Sequence, residues 1–175
     1  MDAPINSCIY SSPLGDIVLR EMHGKLFNAC FADAKIPLGN SSPETPLLRQ
    51  AVRWLDIYFS GRNPGGIPAV QLQGTSFRQM VWRLLLEIPY GHTVSYKDIA
   101  LELARRNGLH QMSAQAVGGA VSHNPLIIFI PCHRVIGTDG RLTGYSGGLE
   151  RKARLLRLEH SITHGLSSCC QMPLL

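Results

Sequence analysis

The sequence predicts a two-part fold, an α/β half with an antiparallel sheet and one helix, followed by a mostly α half that carries a helix-turn-helix. Three observations predict it. Short apolar runs alternate with tight turns between Cys8 and Phe31. Amphipathic segments with helix-capping residues dominate from Ser76 onward. The charge divides at the same place. Residues 1–75 carry six Lys/Arg and six Asp/Glu, whereas residues 76–175 carry eleven against six and so hold the whole net charge of +5. A neutral half joined to a basic half suggests two units, the second facing a polyanion, although a solvated basic surface fits the charge as well.

The first half opens with Cys8-Ile9-Tyr10, a turn at Ser12-Pro13-Leu14-Gly15, the run Asp16–Arg20, a turn at His23-Gly24, and a third run from Lys25 to Phe31. Turns this short favour an antiparallel meander. Residues 32–43 form a loop rich in Pro, Gly and Ser. Thr45 caps a helix with Pro46 at its first position, and Leu47, Leu48, Ala51, Val52, Leu55 and Phe59 form its apolar stripe. Gly61 ends it, and Ala69-Val70-Gln71-Leu72 is long enough for one more strand. The unit boundary falls near Gly74, giving expected domains of 1–74 and 75–165, with 166–175 a loosely ordered tail.

The second half begins with a capping pattern, Ser76-x-x-Gln79, before Phe77, Met80, Val81, Leu84, Leu85 and Ile88 at helical spacing. Pro89-Tyr90-Gly91-His92 stops that helix. Ser95-x-x-Asp98 opens a second helix reaching about Gly108, and Ser113 caps a third to about Val121. Two capped helices joined by a glycine-containing turn suggest a helix-turn-helix with a long turn. The third helix holds Ala116, Gly118, Gly119 and Ala120. Each glycine lowers helix stability by about 1 kcal/mol, so the pair calls for close approach to another surface or tight packing on a neighbouring helix. The last helix, Leu149–His160, places Glu159 in the middle of its apolar face with Lys152 beside it. A carboxylate there needs a partner: Lys152, solvent at a frayed end, or a histidine in the interior.

No run of 18 apolar residues exists, so no membrane span is expected. The N-terminus lacks the pattern of a signal peptide, which makes an intracellular, cytoplasmic protein the default, nuclear in a eukaryote. The five cysteines, Cys8, Cys30, Cys132, Cys169 and Cys170, are odd in number and irregular in spacing, which disfavours a disulfide framework. Cys8, His23 and Cys30 lack recognisable metal-ligand spacing, and no metal site is expected.

The chemistry concentrates at one place. Asn124-Pro125 starts an apolar run, Leu126–Ile130, that reads as a core strand and delivers Pro131-Cys132-His133-Arg134-Val135. A thiol, a base and a cation follow one another at its end. A thiol becomes a nucleophile on losing its proton, and an imidazole promotes that loss. Neighbours in sequence point apart, so a water is the natural bridge between Cys132 and His133, and a Glu taking the other imidazole proton would orient the ring.

These residues resemble the O6-alkylguanine-DNA alkyltransferases. The resemblance rests on the pentapeptide Pro131–Val135, on Tyr145-Ser146-Gly147-Gly148-Leu149, Val94-Ser95-Tyr96, Ala116-Val117-Gly118-Gly119-Ala120, Phe77, Trp82, Asn124 and Glu159, and it covers residues 76–160. It is looser over 1–75. It implies a ribonuclease-H-like first unit and a second unit with a winged helix-turn-helix. It further implies direct, single-use transfer of an alkyl group from guanine O6 in double-stranded DNA to Cys132, with no cofactor, by a monomer that flips the base out of the stack. O4-alkylthymine is a further substrate in keeping with it. Carried over, His133 deprotonates Cys132 through water, Glu159 orients His133, and Asn124 braces the turn before the active-site segment. Tyr96 meets the flipped base, the main chain at Cys132 and Val135 reads its exocyclic amine, and Tyr145 and Ser146 close over O6. Gln115, Ala116, Gly118, Gly119 and Arg134 join Tyr96 as DNA contacts. Gln115 stands where the family usually has an arginine, and the stretch from Tyr96 to Gln115 is longer than typical. Three other readings compete: an alkylation sensor that does not transfer, which the presence of Cys132 disfavours; a winged-helix regulator, which needs no Cys-His pair; and a thiol hydrolase, which has no use for the basic half.

Overall fold

The computed structural model describes residues 4–32 and 45–160, apart from the side chain of His160. The expected tail and Cys169-Cys170 lie outside the described residues. The chain divides into two units. One comprises the described residues up to Gln73 together with Pro125–Phe129; the other comprises Gly74–Asn124 and those from Ile130 on.

The first unit is an antiparallel meander, β1 (Asn6–Ser12), β2 (Gly15–Met22) and β3 (Lys25–Phe31), in the order β1-β2-β3. Ser12 pairs with Gly15 across the first turn, and the Ser12 hydroxyl accepts from the Leu14 amide. His23 and Gly24 both have positive φ, 53° and 68°, the two-residue turn whose twist matches its strands. Helix α1 (Pro46–Phe59) starts as expected, with the Thr45 hydroxyl accepting from the Leu48 amide and proline in the first turn. Leu48, Ala51 and Leu55 are buried with Ile17, Leu19 and Leu26 of the sheet. The expected strand at 69–72 shrinks to one parallel bridge, Leu26 with Val70.

The run Leu126–Ile130 is not a continuous strand. Leu126 bridges Ala29 in parallel, and the chain then turns at Ile128, whose φ is 69°. A β-branched residue there carries strain of about 1–3 kcal/mol, borne by full burial of the run. The amide of Phe129 donates to the Ile127 carbonyl at 2.8 Å as the path reverses.

The second unit holds α2 (Ser76–Leu86), β4 (Val94–Ser95), α3 (Tyr96–Arg106), α4 (Ala114–Ser122), a 3-10 turn (Cys132–Arg134), β5 (Val135–Ile136) and α5 (Leu149–His160). The cap of α2 is Thr75, one residue before the expected Ser76; its hydroxyl accepts from the Arg78 amide, and Gln79 reaches back to the Gly74 carbonyl. Ser95 and Asp98 form the expected reciprocal capping box, and Ser113 caps α4. Helices α3 and α4 form the helix-turn-helix. Residues 107–113 make its turn, which Gly108 enters with φ of 64°. Arg106 braces it by pairing with Glu102 on its own helix and bidentately with Glu87 just past α2. Trp82 donates its indole N–H to the Ala120 carbonyl at 2.9 Å, tying α2 to α4. β4 and β5 pair in parallel, Val94 with Val135. The fold class matches the sequence expectation of an antiparallel sheet with a helix and then a mostly helical unit with a helix-turn-helix. No helix among the described residues is long and apolar enough to cross a membrane.

Candidate active site

Cys132 opens the 3-10 turn and is 2% exposed. Its amide donates to the Ile130 carbonyl at 2.7 Å. Asn124, just after α4, spends both protons of one amide nitrogen here: Nδ2 donates to the Ile130 carbonyl at 2.9 Å and to Cys132 Sγ at 3.0 Å. One side chain therefore braces the approach to the cysteine and solvates its sulfur. Burial pushes the thiol up to about 11, against the opposing Asn124 hydrogen bond and the charge of Lys152. At neutral pH the resting group is a thiol.

With about three residues per 3-10 turn, His133 leaves the backbone in a different direction from Cys132. Its ring is fully buried, and Nε2 meets Glu159 Oε1 of α5 at 2.7 Å. A carboxylate only accepts, so the neutral ring carries its proton on Nε2 and its lone pair on Nδ1. Burial lowers the imidazole below its usual range, although Glu159 works to raise it.

Glu159 resolves the sequence puzzle of a carboxylate on an apolar face. It is 1% exposed and does not pair with Lys152. Oε1 accepts from His133 and from Arg134 Nη2 at 3.0 Å; Oε2 accepts from Arg134 Nε at 2.9 Å and from the Gly91 amide at 3.0 Å. Burial alone would raise its pKa. His133 and Arg134 outweigh burial and hold it well below the usual carboxylate range.

Arg134 was expected at the DNA surface and is instead turned inward. It is 8% exposed, and besides gripping Glu159 it donates Nη1 to the Ile88 carbonyl at 2.7 Å and lies over the Tyr90 ring. Val135 is buried; its amide donates back to the Cys132 carbonyl, and its own carbonyl accepts from Lys152 Nζ at 2.5 Å. Lys152, absent from the sequence-derived site, is fully buried beside this peptide. It sits seven residues before Glu159 on the inward face of α5, and that register is the signal that could have found it.

Tyr96 begins α3. Its hydroxyl donates to the Thr143 carbonyl at 3.1 Å, with Gly144 at 3.4 Å. Tyr145 stands edge-on to His133 with ring centroids 6.4 Å apart, and its hydroxyl is enclosed with no hydrogen bond among the described residues. Ser146 is exposed in the same loop.

Gln115, Ala116 and Gly119 form an exposed face of α4 away from the buried Val117, Ala120 and Val121. Among the described residues, a Cβ on Gly118 would meet only the Tyr96 ring, at an ordinary 3.8 Å. A Cβ on Gly119 would meet nothing within 4 Å among the described residues. Tight packing among the described residues therefore does not account for Gly119. Among the described residues no group of three or more His, Cys, Asp or Glu side chains is arranged to hold a metal.

The family described as 6-O-methylguanine DNA methyltransferase, DNA binding domain, matches residues 76–161. The methylated-DNA–protein-cysteine methyltransferase of Mycobacterium leprae is 41% identical over 159 residues, 89% of this chain and 93% of that protein. That of Methanosarcina barkeri is 40% identical, over 87% of this chain and 96% of its own. The crystal structure of Mycobacterium tuberculosis OGT in complex with DNA superposes with a TM-score of 0.75 at 40% identity, covering 90% of this chain and 92% of that one. Near-complete coverage at this identity joins the buried cysteine and its histidine–glutamate pair in one conclusion: the chain belongs to the methylated-DNA–protein-cysteine methyltransferase family.

Proposed function

We propose that this chain is a single-use DNA repair protein that moves an alkyl group from guanine O6 in duplex DNA to Cys132. The observation that carries the reading is the enclosed arrangement around one thiol: Asn124 on Sγ, and His133 backed by Glu159 and Arg134. A resting pKa near 11 keeps the sulfur protonated until it is needed. His133, neutral at Nδ1, takes the thiol proton through one water, and Glu159 supports the imidazolium. The thiolate attacks the alkyl carbon from the side opposite O6. An S–C bond forms, the C–O6 bond breaks, and the guanine anion left on O6 and N1 recovers the proton from His133. No cofactor enters, and nothing cleaves the thioether.

The target atom is out of reach in a stacked duplex, so the base must be flipped. The exposed small face of α4 suits close approach to DNA, with Gln115 and Ala116 at its start. Tyr96 and the loop carrying Tyr145 and Ser146 would meet the flipped base, and the remaining lone pairs of the Cys132 and Val135 carbonyls would read its exocyclic amine.

Intact-mass measurement after mixing with a duplex containing one O6-methylguanine tests the reading. One methyl should be gained per molecule, mapped to Cys132, with no further gain on a second addition. Tight binding without a mass change would favour an alkylation sensor, and release of product with repeated turnover would overturn single use.

A further inference from the structure

We propose that Arg106 is a positioning residue for duplex DNA. By tying the last turn of α3 to the end of α2, it fixes where the long turn begins and so how the first residues of α4 meet the duplex. The inference rests on the reading of the chain as a DNA alkyltransferase.

Two glutamates and two arginines form the tie. Arg105 already satisfies the buried Glu102, with Nε donating to Oε2 at 2.8 Å and Nη2 to Oε1 at 2.7 Å. That pair lies within one helix and fixes nothing beyond it. Arg106 adds Nε to the same Oε1 at 2.6 Å and turns its two terminal nitrogens onto Glu87, Nη1 to Oε1 at 2.7 Å and Nη2 to Oε2 at 2.6 Å. Glu87 is the residue that ends α2. The planar fork of a guanidinium can hold both carboxylates at once in one geometry, which a lysine's point charge cannot.

Stability does not call for this bridge. The Arg106 and Glu87 side chains are 34% and 42% exposed, and ion pairs in that setting add little to folding. A bidentate pair supplies direction instead, and direction is what the turn lacks. α3 closes with the Gly108 amide on the Arg105 carbonyl and the Leu109 amide on the Ala104 carbonyl, an ending built on a glycine. Residues 110–112 then make no hydrogen bond among the described residues before Ser113 caps α4. The path of the turn is set by the point at which it leaves α3.

The two ends of α4 are held differently. Near its C-terminus Trp82 grips the Ala120 carbonyl, and Asn124 just beyond reaches Cys132 Sγ. That end is anchored in the core. At the other end Ala114, Gln115 and Ala116 are exposed, and Val117 is the first buried side chain. The placement of these three residues follows the turn, and through the turn Arg106. Loss of the bridge should therefore disturb the exposed start of α4 and leave the thiol end as it was.

The test is single-turnover methyl transfer from an O6-methylguanine duplex, titrated at fixed salt, for the wild type, Arg106→Met and Glu87→Ala, with a thermal melt of each. Both variants should melt close to the wild type, as expected for a partly solvated ion pair. In both, the half-saturating duplex concentration should rise about tenfold while the rate at saturation stays within about threefold, since small misplacements remote from the chemistry are amplified. Glu87→Ala decides by its sign. It removes a negative charge from a DNA-binding unit and releases Arg106, so simple attraction to phosphate would tighten binding. A lower half-saturating concentration in that variant overturns the inference and makes Arg106 a phosphate ligand. Unchanged half-saturation in Glu87→Ala, a saturated rate that falls as far as the affinity, or a Glu87→Ala that does not fold each overturns it too, the last by making the network structural. If Arg106→Met alone fails to fold, Glu87→Ala still decides. A wild type that gains no methyl from DNA overturns the alkyl-transfer reading itself, whereas variants that repair as well as a working wild type overturn only the role of Arg106.

Discussion

Arg134 and Glu159 share a two-pronged ion pair inside the second unit, Nε to Oε2 at 2.9 Å and Nη2 to Oε1 at 3.0 Å, and the same Oε1 takes the His133 proton. The arginine thereby fixes both the charge and the orientation of the carboxylate behind the base. Glu159→Gln keeps the shape and removes the charge. It should slow single-turnover transfer, and it should cost about 3–5 kcal/mol of stability, because a buried guanidinium loses its counter-ion. Urea unfolding and a rate plateau measured against pH check both effects. An unchanged rate in a destabilised protein would make Glu159 purely structural.

The inward Arg134 carries its own prediction. Arg134→Met should lower stability and slow transfer, yet leave the salt dependence of DNA binding unchanged. A phosphate contact would instead reduce the salt slope by about one. Binding titrations at several salt concentrations distinguish the two.

Cys132→Ser should abolish transfer and leave duplex binding within about twofold. A hydroxyl is a far poorer nucleophile, and its pKa lies well beyond what His133 can meet. Mass spectrometry beside a binding assay checks it. Methyl gain in the variant, at Cys8 or Cys30 for example, would remove Cys132 from the centre of the mechanism.

Local chemistry made much of this legible before the structure. Thr45 with Pro46, Ser95 with Asp98, and Ser113 each cap a helix through bonds to residues three positions away, and such short-range rules survive folding. Cys132, His133 and Glu159 were legible because a base beside a thiol and a carboxylate on an apolar face are both costly unless used. The kink at Ile128 was not. A β-branched residue has no local reason to adopt positive φ, and only burial of the whole run imposes it. Arg134 and Lys152 escaped for a related reason. Charged residues are ordinarily solvated, and several of the carbonyls that hold these two, Ile88 and Val135 among them, lie far away in sequence.

Acid should unfold the protein in two stages. His133 is depressed in the folded state, so below about pH 6.5 the unfolded chain takes up a proton that the folded one refuses, and stability falls. Glu159 is also depressed, so its stabilisation is complete above the unfolded carboxyl value of about 4.3, begins to fall below it, and is lost progressively as pH drops toward the much lower folded value. Denaturant midpoints from pH 7.5 to 3.5 should show both declines. The lower one should shrink in Glu159→Gln, and a midpoint flat from pH 7 to 5 would contradict the depressed imidazole.

Gly119 separates folding from DNA binding. Its missing Cβ meets nothing within 4 Å among the described residues, so Gly119→Ala should stabilise α4 by up to about 1 kcal/mol through helix propensity. If DNA lies against this face, the added methyl should weaken duplex binding at the same time. A thermal melt and a binding isotherm on one variant test the pair. Stabilisation with unchanged affinity would move the DNA away from Gly119.

Gln115 lies exposed at the start of the same helix, where an arginine is usual in the family that the sequence resembles. Gln115→Arg would add a charge, further donors and a planar surface able to stack in the gap a flipped base leaves. Nearby Arg105 and Arg106 are spent elsewhere, on Glu102 and on Glu102 with Glu87. The variant should therefore raise the rate on methylated duplex by severalfold while leaving transfer from free O6-benzylguanine level. The ratio of the two rates is the measurement, since a free base needs neither binding to DNA nor flipping. Equal changes in both would mean that residue 115 acts on the chemistry and not on the duplex. No change in either would mean that the longer turn at residues 107–113 has carried this position out of the stack.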